Sequence, residues 1–159
     1  MASVKMPGLK KFASRLKSIE KSLSNTRQLH GETVVLYERW VKLNFIAQGK
    51  DHDKSSLHWK PLSETTKALR SKGRRTGSNP KILQDTGQLR QRWTRIFNEK
   101  EARFKSAQNY SSLHERGGTS KLGGKTFKVP QRKIFPVKKQ GIKIIKPAVK
   151  RYMKRAFKR

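Results

Sequence analysis

The sequence predicts an α+β fold: a small antiparallel sheet packed with two N-terminal helices and a C-terminal helix. Three observations lead there. Apolar residues recur every three or four positions near both ends of the chain. Between Trp93 and Ser106 they alternate irregularly, as in two short strands. Stretches rich in Gly, Ser, Pro and Lys separate these regions and favour neither helix nor strand. The 159 residues read as a single domain, with a helical part over 1–47 and a basic extension and helix over 138–159.

The first helix is read from Leu9, Phe12, Leu16, Ile19 and Leu23, whose spacing marks one narrow face. Such a stripe suits a single partner helix. A second helix is expected from Thr33 to Ala47, limited by Gly31 and Gly49, with Val34, Tyr37, Val41 and Phe45 inward and Leu36, Trp40 and Leu43 broadening the face. Pro61 disfavours helix before it, and Ser63 is placed to cap a helix over 64–71, with Glu64 in its first turn. Residues 70 to 81 are basic and lack apolar side chains, which reads as a loop.

Asp85-Thr86-Gly87 reads as a turn or cap, followed by helix-like Gln88 to Arg92. The two strands between Trp93 and Ser106 would join near Asn98 to Lys100. Tyr110 to His114 forms a short ordered piece ended by Gly117-Gly118, and residues 117 to 126 read as another loop. Val129 to Val137 contains two prolines, so it is expected to be extended and at a sheet edge. Pro147 suits the first turn of a final helix with an apolar stripe of Ala148, Val149, Tyr152, Met153, Ala156 and Phe157.

Charge dominates the composition. Forty Lys and Arg stand against ten Asp and Glu, for a formal net charge of +30. Only 33% of residues are apolar, so a large self-sufficient core is not expected. Self-repulsion opposes compaction unless anionic partners offset it. The absence of cysteine excludes disulfides, thiolate metal sites and cysteine nucleophiles. No apolar run reaches membrane-spanning length, and the lysines at positions 5, 10 and 11 are not followed by the apolar run of a secretory signal.

No constellation of residues requires an enzyme, a metal or a cofactor. Asp85-Thr86-Gly87 matches the short signature of aspartic proteases, which need two aspartates sharing a proton, but a polar helix-like segment follows it here. Asp51-His52-Asp53 with His58 lacks helical metal-ligand spacing and reads as a polar loop. From Lys138 to the C-terminus ten basic residues occur without one acid. Arg70, Lys72, Arg74 and Arg75 in the central loop, and Lys146, Lys150, Arg151, Lys154 and Arg155 in the last helix, are the candidate contacts to DNA phosphates or an acidic partner.

Four motifs occur in order. Trp59-Lys-Pro61-Leu62-Ser63 is followed by Leu83-Gln-Asp85-Thr86-Gly87-Gln-Leu89, then Tyr110-Ser-Ser-Leu-His114-Glu-Arg-Gly117, then Pro130-Gln-Arg132. This order resembles the tail-completion (virion morphogenesis) family of tailed phages, over roughly residues 55 to 137. Arg92, Ser111 and Lys133-Ile134-Phe135 depart from the family pattern. The resemblance implies a structural protein without catalytic residues. It would form a ring in the phage neck, a hexamer by preference or a dodecamer. DNA would pass through the lumen, and the neighbours would be a head-tail connector or head-completion protein on one side and a tail terminator or tail tube and sheath proteins on the other. The motif residues then look architectural: Trp59 as a core anchor, Asp85-Thr86-Gly87 as a turn, Tyr110 and His114 as a packed or hydrogen-bonded pair, Arg132 near a subunit boundary. Read from charge alone, the chain is equally a free nucleic-acid-binding protein without sequence preference.

Overall fold

A computed structural model describes residues 9–50, 58–72 and 81–158. Among them are six helices and two two-stranded antiparallel sheets, a helix-rich α+β arrangement. The strands are divided between two hairpins and do not form one sheet.

Helix α1 (Leu9–Ser24) follows the apolar stripe read from the sequence. Its C-terminal end lies on the last helix, α6 (Lys138–Lys158), where Tyr152 Oη donates to the carbonyls of Ser22 and Leu23. The N-terminal half of the stripe is uncovered: Phe12 is 61% and Leu16 51% exposed. Helix α2 (Arg27–Ile46) begins six residues before the expected start and runs through Gly31. Gly31 belongs inside the helix because the Phe97 ring packs against it, 3.1 Å from where a Cβ would sit. Val34, Trp40, Val41 and Phe45 point inward as a helical face should. Leu43, expected on that face, is exposed, and Asn44 takes the buried place. Its Nδ2 donates to the carbonyls of Lys133 and Ile134, so the burial leaves no donor unpaired.

Helix α3 (Glu64–Ser71) has Ser63 as its N-cap, with Oγ accepting from the Thr66 N–H. Gly87 caps the single turn α4 (Gln88–Gln91) at positive φ and buries Leu89. Strands β1 (Trp93–Phe97) and β2 (Ala102–Ser106) form the first hairpin, with Arg95 opposite Phe104. Its turn is made by Asn98, whose Oδ1 accepts the N–H groups of Lys100 and Glu101. Helix α5 (Ser111–Arg116) ends at Gly117.

The segment read as a loop over 117–126 is instead part of a second hairpin, β3 (Gly118–Leu122) and β4 (Lys125–Val129). Gly123 and Gly124 both take positive φ, the geometry of a two-residue hairpin turn, so their pairing was a strand signal and not only a breaker.

The prolines at 130 and 136 do not hold an edge strand. After β4 the chain leaves the ladder and crosses the core, with Ile134 fully buried. Side chains replace the missing ladder. Glu115 Oε2 accepts from the N–H groups of Ile134 and Phe135, and the Lys133 carbonyl accepts from Trp59 Nε1 at 2.7 Å. Helix α6 starts nine residues before Pro147, which sits inside it. The start is set by Gln140, whose Oε1 accepts the Val137 N–H, half of a capping box. Pro147 removes the hydrogen bond to the Lys143 carbonyl, and both residues lie on the exposed side, where water can replace it.

Helix α2 is the centre of the packing, touching α6, β1 and β2. Trp40, Val41 and Phe45 meet Trp59, Leu89 and Ile134, and Trp93, Phe104 and Phe135 extend this core outward. Ion pairs fasten its margins. Glu32 of α2 binds Arg155 at 2.6 Å and Arg151 at 3.1 Å, and Glu38 binds Arg95 at 3.0 Å.

Candidate assembly groove and cationic helix face

Most of the motif residues line one groove of about 1020 Å³. Its sides come from the segment around the start of α3, the turn before α4, helix α5 and strand β4. Trp59 lies beneath it in the core, edge-on to Phe45 at 5.2 Å, and Gly117 closes α5 behind it. Pro61, Leu62, Ser63, Asp85, Thr86, Leu89, Tyr110, His114, Pro130 and Arg132 all contribute to the lining.

Two charged residues set the chemistry of its floor. Arg132 is 7% exposed, and its guanidinium donates to the carbonyls of Lys60 at 3.1 Å and Pro61 at 3.4 Å. Among the described residues no carboxylate pairs with it. Burial, then the nearby charge of Arg70, lowers its pKa. Asp85 stands 3.5 Å from Arg70 Nε, an ion pair without hydrogen-bond geometry, so its buried Oδ1 accepts no hydrogen bond. The site holds one described aspartate engaged by an arginine, with no second acid to share a proton.

Tyr110 and His114 rings lie edge-on, with centroids 6.0 Å apart. The His114 carbonyl accepts the Arg132 N–H at 2.7 Å, while Nδ1 is buried without a partner. Burial, aided by the charge of Arg132, pushes the His114 pKa below its usual 6.5. In the folded protein the imidazole resists a proton that the unfolded chain accepts. The associated stability is complete above pH 6.5 and is lost as pH falls toward the depressed folded value. Urea midpoints between pH 7 and 5 should therefore fall, and His114→Gln should flatten that dependence. An identical slope in the variant would contradict this role.

The basic candidates separate into three groups. Arg74 and Arg75 lie outside the described residues, as does Asp51-His52-Asp53. Arg70, Arg151 and Arg155 are engaged by Asp85 or Glu32. The Arg155 hydrogen bond holds the Glu32 carboxyl below its ordinary pKa against the opposing effect of burial, with Arg151 adding to it. Lys146, Lys150 and Lys154 are exposed on α6 and have no acidic partner among the described residues. Lys139 and Lys143 continue their row at helical spacing. The five ammonium groups make a ridge about 22 Å long at 1.5 Å per residue. Lys72 is exposed at the end of α3.

Phe127 and Lys128 of β4 also line the groove; they lie between the expected loop over 117–126 and the expected extended segment from Val129, and neither expectation includes them. Alternation on either side of Gly123-Gly124 was the available signal. No group of metal-ligating residues occurs among the described residues. None of the described helices is long and apolar enough to cross a membrane.

The profile of the phage virion morphogenesis family matches residues 9–154, from the start of α1 to the last turns of α6. The chain belongs to the phage virion morphogenesis family. No curated protein and no solved structure matches it. Membership makes it a phage structural or assembly protein, and its four motifs are the residues gathered around the groove.

Proposed function

We propose that this virion morphogenesis protein is a neck component. It assembles into a closed ring, a hexamer by preference or a dodecamer, that joins the head connector or head-completion protein to the tail terminator or to tube and sheath proteins, with DNA in the lumen. The observation that carries the reading is the lysine ridge of α6, exposed and unmatched by acid, beside apolar side chains that the single chain leaves uncovered. Phe12 and Leu16 of α1, and Phe157 of α6, are each more than half exposed. Neighbouring copies would cover such a surface, and a ring would turn the ridges toward a common axis. Six copies would carry about +180, which enclosed phosphate would offset.

Native mass measurement of the chain, alone and with co-expressed neck proteins, should show a closed oligomer. Imaging of purified particles should place it between head and tail. Monomer under every condition, together with absence from particles, would overturn the reading.

A further inference from the structure

The groove has a chemistry that the ring reading does not use. Its floor holds the buried guanidinium of Arg132, which meets only backbone carbonyls and has a second guanidinium, Arg70, for a neighbour. A buried cation without a carboxylate is costly unless something anionic completes it. The rim adds Lys60 and Lys128. Around these charges the walls are apolar, with Pro61, Leu62, Phe127 and Val129 among the lining residues and Phe127 44% exposed.

Along one wall runs β4, which pairs only with β3 among the described residues. Its outer edge offers backbone groups to an added strand. Asp85 and His114 also line the groove, and Asp85 Oδ1 and His114 Nδ1 are buried and lack hydrogen-bond partners. An extended peptide carries both amide N–H donors and carbonyl acceptors, so it can pair with the Asp85 oxygen and with the His114 nitrogen in either tautomer.

We infer that the groove seats an extended, carboxylate-bearing segment of a different virion protein, its acid against Arg132 and its backbone along β4. Charge complementarity selects this occupant. A second copy of the chain is a poor candidate, because it brings forty basic residues and only ten acids. DNA is a poor candidate as well. Phosphates leave the apolar walls uncovered and bring no donor for Asp85 Oδ1, whereas a peptide supplies apolar side chains for the walls and an amide N–H for that oxygen. The partner's being a virion protein rests on the neck reading; the groove's preference for an acidic peptide does not.

Site-specific photo-cross-linking tests this. A benzoylphenylalanine replaces Phe127 in the full chain, in cells producing particles, and adducts are identified by peptide mass spectrometry before and after particle purification. The expected adduct joins Phe127 to a different virion protein, within a stretch containing Asp or Glu. It should fall at least tenfold in the Arg132→Gln background. It should also fall in the Lys128→Glu background, where the altered side chain is exposed and the fold is retained. An adduct with this chain or with DNA, no adduct, or an adduct indifferent to both substitutions would overturn the inference. If the expected adduct forms in cells but the chain is absent from particles, the neck reading fails and the groove assignment stands. If the chain forms rings in particles and Phe127 yields no adduct, the neck reading stands and the groove assignment fails.

Discussion

Phe45→Ala should leave the chain largely unfolded at 25 °C, the greatest loss expected from any single substitution. Phe45 is fully buried, and its ring is edge-on to Trp59 at 5.2 Å and to Trp93 at 6.3 Å. Truncating a buried phenylalanine costs about 3–5 kcal/mol through lost transfer energy and the cavity left behind. Each severed aromatic pair adds about 0.5–1.5 kcal/mol. Domains of this size have only about 5–15 kcal/mol to lose. This chain starts near the lower end of that range, because +30 of charge opposes compaction and only nine apolar side chains are buried among the described residues. Leu43→Ala on the same helix is the matched control. Leu43 is 41% exposed, so its truncation should cost less than about 1 kcal/mol. Urea unfolding followed by circular dichroism separates the two variants. Equal midpoints would show that the core is not centred on Phe45.

Where local chemistry decided the structure, the sequence was legible. Ser63 and Glu64 mark the start of α3 because one side-chain oxygen meets one orphan N–H three residues on. The β1–β2 hairpin was readable from its alternation and from Asn98, which can make its own turn. Errors arose where distant residues overrode local preference. Pro147 looked like a helix start, yet Gln140 caps the helix ten residues after Pro130 and far ahead of Pro147. Gly31 looked like a boundary, yet it is the space for Phe97 from another element. The prolines at 130 and 136 suggested an edge, and their segment is instead held by Glu115, Asn44 and Trp59 across the core.

The candidate site shows the same division. The order of the four motifs was visible, but their convergence on one groove was not, because residues 61, 85, 114 and 132 meet only after the chain has folded. The charge of the last helix was visible too. Which of its charges remain available depends on Glu32, far away in α2, and no spacing within α6 reports that.

That partition gives the second large effect. Replacing Lys139, Lys143, Lys146, Lys150 and Lys154 together by Gln should lower the salt slope of duplex DNA binding by about 4–5, since each phosphate contact contributes about 0.9. Between 50 and 200 mM salt this amounts to a difference of two to three orders of magnitude in the affinity that survives, by roughly the same relation. Replacing Arg151 and Arg155 instead should change the slope little, because Glu32 already holds both. That variant should lose stability, since Glu32 loses the partners joining α2 to α6, whereas the five-lysine variant should melt at the same temperature or higher as repulsion along α6 is relieved. The opposite signs on stability and binding separate the ridge from its neighbours on the same helix. Equal salt slopes for the wild type and the five-lysine variant would place the phosphate-facing surface away from α6.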